Sequence, residues 1–416
     1  MFARIVCSLR AHDTPSMVRA TQLGRGVVFF KDAEFSAQGA PAQARPRSRY
    51  LSLLQIAGLL TVIAVHVGLP YTDLGWIVVE MFFVIAGINM ATSLDRDQSI
   101  SSYVLSRIRR LGPQIAAVWS ATVLFVATGA GTPGMMWFIF AAPVFVQNLT
   151  VGFFRWEFPS DWIFGPLWFV GALLQLQLLL FVGRKVLLRT KPAVLVFACV
   201  GIGVLFRLLF AALSGANLRS LSELQGGVLY SLPFTHLEPI VLGVLIGRGA
   251  LPRIGRLLPV FCLVAIGPGA VNLALSQGEV SFASLGFPLF LRQNYAFVWG
   301  YSIVALITAA LCSRNGWLAI AVEALRLPVW TDRMVFKLAS LSYSAYVFHG
   351  LVMSTGVNAA AFLEKLDPPA WGPLLFVITA FQSFLIAWAV HLMPLMWKKR
   401  MKLKAPRPEI LGHPVS

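Results

Sequence analysis

Two ionisable residues each stand alone in an apolar run near the start of the chain. His66 lies about one turn before the end of the first run, and Glu80 lies about one turn after the start of the second. The runs are typical of two membrane-spanning helices joined by a short polar turn at residues 69–75, which brings both side chains to a similar depth. Ionisable groups at such a depth are costly and are functional candidates by default. The alternative is a neutral histidine that hydrogen-bonds between helices.

The chemistry open to these two residues is proton abstraction from a hydroxyl group. An imidazole with an unperturbed pKa of about 6.5 is largely neutral near pH 7 and acts as a base there. A carboxylate at similar depth can orient the ring and stabilise the imidazolium, as in a catalytic triad. We therefore expect His66 to be a general base and Glu80 its orienting partner.

Two later apolar runs also carry polar residues. His236 and Glu238 lie close together in one of them, where they either join the His66 pocket or make capping or interhelical hydrogen bonds. Tyr343, Tyr346 and His349 recur at three-residue spacing in another run and so share one helical face. A polar stripe of this kind is more often turned to a cavity than to lipid.

Clustered arginines mark the start of another predicted helix. Arg107, Arg109 and Arg110 lie in the segment SSYVLSRIRRLGP. Guanidinium groups bind phosphates in a bidentate manner, so a nucleotide-phosphate donor is one ligand for them. Anchoring of the loop on the cytoplasmic side explains the same residues without any ligand.

The composition places these residues in a polytopic helical membrane protein. Of the 416 residues, 57% are hydrophobic and 12% are charged, with a mean hydropathy of +0.75. An ordinary soluble protein is thereby excluded. The net charge of +17 does not indicate nucleic-acid binding, because the basic residues cluster in short loops between spans. The four cysteines and six histidines lack the spacing of a disulfide framework or a metal site.

The fold prediction is an all-α transmembrane bundle of about ten spans with both termini cytoplasmic. In this topology 29 of the 34 Lys and Arg residues lie inside, four lie outside, and Arg207 lies within a span. The short apolar segment 134–149 is then re-entrant or interfacial. The spans are approximately 51–68, 76–93, 114–130, 166–183, 193–213, 231–247, 257–274, 295–312, 338–357 and 372–395.

Three regions follow from this topology. Residues 1–48 form a largely disordered cytoplasmic arm, residues 49–397 the transmembrane domain, and residues 398–416 a basic cytoplasmic tail. Acidic side chains and tryptophans in the predicted outer loops could bind a sugar through hydrogen bonds and ring stacking. The alternative is that the loops are simply solvated and that their tryptophans lie at the membrane interface.

In their order along the chain, these motifs resemble the membrane acyltransferase-3 family over roughly residues 49–395. YLSLLQ is followed by a histidine eleven residues after Gln55, so His66 falls on the family's proposed catalytic histidine. Ser52 and Gln55 depart from the family's usual Asp and Arg. The remaining matches are the acidic-x-Phe-Phe-Val run from Glu80, the segment with Tyr103, Arg107, Arg110 and Pro113, Asn148 in FVQNL, Trp168 and Gln175 in PLWFVGALLQLQLLL, and Ser342, Tyr343, Tyr346 and His349 in LSYSAYVFHG.

The resemblance implies an O-acyltransferase of the bacterial inner membrane. It would move an acyl group, most simply acetyl, from cytoplasmic acetyl-coenzyme A to a hydroxyl of a surface polysaccharide or lipid-linked glycan. Acetyl-coenzyme A (acyl-CoA) is then a co-substrate. No tightly bound cofactor, metal or nucleic acid is expected. The lipid bilayer surrounds the chain. The implied site has catalytic His66 and Glu80, donor-binding Gln55, Arg107 and Arg110, and acceptor or cavity residues Asn148, Trp168, His236, Glu238, Tyr343, Tyr346 and His349.

The sequence leaves two rival functions open. One is a transporter or exporter of a glycoconjugate, in which His66, Glu80 and His349 form a substrate or proton pathway. The other is an altered family member that binds ligand without turnover, as the departures at Ser52 and Gln55 allow.

Overall fold

The fold is nearly all helical in a computed structural model, which describes residues 48–129, 133–149, 167–217, 219–275, 284–363 and 371–404. Side chains are not described at residues 73, 133–134, 354–363, 371 and 393–404. The predicted arm at residues 1–48, apart from Ser48, and the predicted loop tryptophans lie outside these ranges. Within them there is no β-strand, which confirms the all-α prediction.

The described ranges contain fourteen α-helices. They are α1 (Arg49–His66), α2 (Val78–Leu94), α3 (Ile100–Ala127), α4 (Pro133–Ala141), α5 (Trp168–Val182), α6 (Arg184–Arg189), α7 (Pro192–Leu213), α8 (Glu223–Ser231), α9 (Leu237–Gly247), α10 (Leu258–Leu275), α11 (Ala296–Cys312), α12 (Trp317–Ala324), α13 (Val329–Leu363) and α14 (Trp371–Lys404).

Several helix starts carry the capping residues that the sequence provides. The Ser48 hydroxyl accepts a hydrogen bond from the Leu51 N–H at the start of α1, and Ser99 does the same for Ser102 at the start of α3. A full capping box joins Ser222 and Gln225 at the start of α8. These bonds satisfy backbone N–H groups that have no partner in the first helical turn.

The centre of the bundle is built on the close approach of α2 and α9. A methyl group added at Gly87 would clash with the carbonyl oxygen of Ile240, and one at Gly243 would clash with that of Val84. Small residues let membrane helices approach this closely, so that van der Waals contact and not hydrophobic burial holds them together. Helix α11 packs against both of these helices, and α1 packs against α2 and α13.

Seven helices in the described chain are long and apolar enough to cross a membrane. An eighth span is obtained if α8 and the segment 233–247, bent by 70° at a short break, count as one crossing. The two other predicted spans correspond to α5, a shorter apolar helix of 15 residues, and to part of α13. The helical bundle is therefore found, while the count of ten crossings and the cytoplasmic termini remain predictions.

The predicted re-entrant segment is short and broken in the structure. Helix α4 has nine residues and leads through a 3₁₀ turn at Ala142–Val144 to Phe145, which has the left-handed φ of 58°. The Trp119 indole N–H of α3 donates to the carbonyl oxygen of Ile139, which fixes α4 against α3.

Candidate active site

His66 lies in the last turn of α1, against His349 of α13. The two ring centroids are 5.1 Å apart, and the planes meet edge to face at 69°. His66 is half-buried, whereas the His349 side chain is fully buried. The two histidines come from predicted spans almost 300 positions apart, and their contact places two imidazoles side by side between α1 and α13.

The hydrogen bonds of His349 fix which of its nitrogens carries the proton. Nδ1 lies against the carbonyl oxygen of Tyr346, one turn earlier in α13, so Nδ1–H is the donor of that bond. In a neutral imidazole the other nitrogen is then a lone-pair acceptor. His349 Nε2 is buried and has no hydrogen-bond partner among the described residues.

Glu80 is buried, and its carboxylate is paired with His236. The Nδ1 atom of His236 lies 2.8 Å from Oε1 and 3.0 Å from Oε2 of Glu80. The expectation that Glu80 orients the His66 ring is therefore corrected: the histidine it orients is His236. The sequence suggested His66 as the nearest partner of Glu80. Because α2 packs on α9, the Glu80 side chain instead meets the ring of His236, which lies at the N-terminus of α9.

His236 is held so that neither ring nitrogen is available as a base. Its Nε2 lies 2.6 Å from the carbonyl oxygen of Tyr230, while Nδ1 faces the carboxylate of Glu80. Phe83 stacks on the ring at 4.4 Å, and Trp168 lies 5.2 Å away. Trp168 and His236, both expected to line the acceptor site, are thus brought together in the core, where His236 is bonded to Glu80 between aromatic rings.

Aromatic rings connect this core pair to the two histidines of α1 and α13. Phe83 contacts Phe169 at 4.8 Å, Phe169 contacts Tyr346 at 5.3 Å, and Tyr346 contacts His349 at 5.3 Å. Tyr346 therefore lies at the His349 site, as the shared face of Tyr343, Tyr346 and His349 predicted. The chain of packed rings gives His349 a rigid support.

Glu238 is committed to a second buried ion pair. The guanidinium of Arg207 on α7 donates two hydrogen bonds of 2.9 Å to its two oxygens, and Ser302 of α11 donates another of 2.7 Å. The expectation that Glu238 joins the His66 pocket is therefore corrected, and its interhelical alternative is found. The sequence contained a signal for this pair, because Arg207 and Glu238 are each the only charged residue in an apolar run and such charges tend to pair.

Asn148 fastens the end of segment 134–149 to α5. Its amide exchanges hydrogen bonds with the side-chain amide of Gln175, at 2.9 and 3.2 Å, and also donates to the carbonyl oxygen of Ser231. Asn148 is completely buried. The structure places it where three segments meet and are joined by its hydrogen bonds, and not at a surface that an acceptor could reach.

The arginines expected at the donor site differ in their surroundings. Arg107 lies over the ring of Tyr103 at 4.9 Å and donates to the Ser93 hydroxyl. Tyr103 stacks in turn on Phe181 at 4.0 Å, and Arg184 covers the other side of Phe181 at 4.3 Å. Arg107 is therefore one end of a stack that joins α3 to the end of α5.

Arg110 is exposed on α3 and lies within electrostatic range of Tyr343 on α13. The Tyr343 hydroxyl is buried and has no hydrogen-bond partner in the part of the chain that the structure describes. Gln55, the third residue expected to bind the donor, is half-buried on α1, three turns before His66. Of these three residues, Arg110 is the exposed one.

This architecture is that of a polytopic helical membrane protein with a pair of contacting histidines between two of its central helices. The family profile described as an acyltransferase domain matches residues 48–390. The chain therefore belongs to the acyltransferase-3 family, as the sequence motifs predicted, and is a membrane acyltransferase in general terms. No curated protein matches the chain, and no solved structure matches it.

Proposed function

We propose that the protein transfers an acetyl group from acetyl-coenzyme A, bound from the cytoplasm, to a hydroxyl of a surface polysaccharide or lipid-linked glycan at the outer side of the inner membrane. Family membership supports acyl transfer in general. The single observation that carries the site is the contact of His66 with His349, at the end of the polar face that Tyr343, Tyr346 and His349 share on α13.

His66 is the base in this proposal. It takes the proton from the acceptor hydroxyl as the oxygen forms its bond to the thioester carbonyl carbon. The carbon–sulfur bond breaks, and the proton on His66 passes to the departing thiolate sulfur. A base of this kind typically contributes about a hundred- to ten-thousandfold in rate.

The donor is proposed to enter along α13. Arg110 holds donor phosphate by charge-assisted hydrogen bonds. Tyr343 and His349 are six residues apart, or about 9 Å along a helix at 1.5 Å per residue. The Tyr343 hydroxyl, which lacks a partner among described groups, suits an amide of the extended donor arm. This arrangement brings the thioester toward His66 without a large movement of the bundle.

The transporter alternative requires His66, Glu80 and His349 to act as one pathway. The structure pairs Glu80 with His236 and occupies both nitrogens of that ring. Glu80 thus contacts His236, whereas His66 contacts His349, so the three residues are not arranged as one continuous pathway. The geometry therefore favours transfer chemistry.

The test is a transfer assay with purified protein in lipid nanodiscs, which have no closed compartments and hold no gradient. The protein receives acetyl-coenzyme A labelled in the acetyl group, together with a panel of glycans and lipid-linked glycans. Label should appear in ester linkage on an acceptor, and the parallel His391→Gln variant should retain full activity, because His391 is exposed on α14. A second assay uses the same protein in sealed vesicles. Movement of a glycan across the vesicle membrane, without acetyl transfer in either assay, would instead establish the transporter function.

A further inference from the structure

His349 carries a buried basic nitrogen that the described part of the chain leaves without a hydrogen-bond partner. The side chain is fully buried, and Nε2 is the unpaired atom. Leaving a buried polar atom unsatisfied costs roughly 1–3 kcal/mol. A cost of this size at the centre of a packed helix face indicates that the nitrogen is used during the reaction.

The protonation of the ring follows from its surroundings. A carbonyl oxygen only accepts hydrogen bonds, so Nδ1, which faces the Tyr346 carbonyl, must carry the proton. Nε2 is then an acceptor. The contrast with His236 is informative, because that ring has acceptors at both nitrogens and offers no lone pair.

The ionisable side chain in ring contact with His349 from another helix is His66 of α1. The other ring against it is Tyr346 of its own helix, which is supported by Phe82 and Phe169. The edge-to-face arrangement at 5.1 Å lets a rotation of the His66 ring bring an N–H to Nε2. Catalytic hydrogen bonds are often long in the free enzyme and tighten only in the reacting complex.

We propose that His349 is the positioning residue for His66. Its Nε2 accepts the N–H of His66, which fixes the tautomer of the base and turns the other His66 nitrogen to the acceptor hydroxyl. When His66 has taken the hydroxyl proton, the same bond stabilises the imidazolium until that proton passes to the thiolate. His349 itself gains and loses no proton. This role rests on the proposed function, and it is the one that the sequence assigned to Glu80.

The first test reads the rings directly and needs no substrate. The full-length protein, with ¹⁵N-labelled histidine, is studied in bilayers by solid-state NMR, and His66→Gln and His349→Asn assign the two rings among the six histidines. We expect His349 to show a protonated Nδ1 and an unprotonated Nε2. In His349→Asn, whose amide keeps the bond to Tyr346 but lacks Nε2, the ¹⁵N shifts of His66 should change. A protonated Nε2 on His349, or unchanged His66 shifts, would overturn the proposal.

The second test is a kinetic double-mutant cycle. His349→Asn should lower kcat by up to about a hundredfold, the loss expected when a reacting group is misplaced by about 1 Å, while the donor KM stays the same. In a His66→Gln background the same substitution should cause no further loss. His349→Gln, whose amide oxygen reaches toward the Nε2 position, should recover part of kcat.

Equal losses of kcat in both backgrounds, or a raised donor KM with unchanged kcat, would contradict positioning through His66. The two proposals fail in different ways. Absence of acetyl transfer by the wild-type protein contradicts the proposed function, whereas the NMR measurement decides the role of His349 whether or not acetyl is the group transferred.

Discussion

At the residue scale, the ionisable side chains of the bundle divide by whether their polar atoms are already occupied. Glu80, Glu238, Arg207 and His236 are buried and bonded to one another in two pairs. The lone pair of His349 Nε2 is not consumed in this way in the described structure, and the guanidinium of Arg110 is exposed on α3. Groups with unoccupied polar atoms can act on a substrate, and groups in saturated pairs hold helices together.

The two arginines of the expected donor site should therefore behave differently. Arg110→Ala should raise the donor KM by about ten- to hundredfold, because a charge-assisted hydrogen bond is worth about 1.5–3 kcal/mol. Arg107→Ala should leave the donor KM nearly unchanged and lower the thermal stability, since it removes one end of the stack with Tyr103 and Phe181. Donor KM and unfolding temperature, measured for both variants, check this division. Equal effects of both variants on KM would show that Arg107 also binds the donor.

The Arg207–Glu238 pair should be a stability element. Glu238→Gln leaves a buried guanidinium without its counter-charge, which costs about 3–5 kcal/mol. Adding Arg207→Met to this variant should recover much of the stability, because the unpaired charge is gone. Thermal unfolding in the same detergent measures both. If the Glu238→Gln variant were as stable as the wild type, Ser302 and the Val298 carbonyl would suffice to hold Arg207.

At the element scale, the site depends on how closely α2 and α9 approach. Their glycines face backbone atoms of the partner helix, so this contact has no room for a side chain. The same approach brings Glu80 of α2 to His236 at the start of α9 and stacks Phe83 on the His236 ring. Backbone packing in the centre of the bundle therefore determines the partner of Glu80.

Gly243→Ala should disturb this contact strongly. The added methyl group would clash with the Val84 carbonyl of α2, and a clash with backbone cannot be relieved by a rotamer change. We expect lower thermal stability and reduced transfer. Gly201→Ala on α7 is the matched control, because a methyl group there meets nothing within 4 Å, and alanine favours the helix. If the two variants were equally stable, the close approach of α2 and α9 would not be a determinant of the fold.

The helices of the bundle could be predicted from the sequence more completely than the side-chain contacts between them. Apolar runs predicted most helices, and the three-residue spacing placed Tyr346 and His349 on one face. The partner of Glu80 was missed, because adjacency in sequence favoured His66 and nothing in the apolar pattern specified that α2 packs on α9. The contact of His66 with His349 depends on helix packing across almost 300 positions, which periodicity does not encode.

At the scale of the whole molecule, the distribution of charge predicts how the bundle is oriented in the membrane. The predicted inner segments hold 29 basic residues and the outer ones four. Lys and Arg are retained on the cytoplasmic side during insertion, so this bias predicts that Arg110 faces the cytoplasm and that the turn after His66 faces outward. The proposed reaction requires this orientation, since donor and acceptor come from opposite sides.

Cysteine accessibility tests the orientation. In a variant whose four native cysteines are replaced, Asp73→Cys and Lys365→Cys should react with an impermeant maleimide in intact cells. Leu188→Cys and Lys402→Cys should react only after permeabilisation. Labelling at position 188 in intact cells would overturn the ten-span topology.

The central claim is that His66 is the base of an acyl transfer, and the most direct measurement is kcat of the His66→Gln variant in nanodiscs. Glutamine retains hydrogen-bonding capacity at this position but accepts no proton. We predict that kcat falls by about a hundred- to ten-thousandfold, with folded protein and donor affinity largely preserved. The His391→Gln control should keep wild-type kcat. A folded His66→Gln variant that transfers acetyl at close to the wild-type rate would contradict the account and reduce His66 to a packing residue.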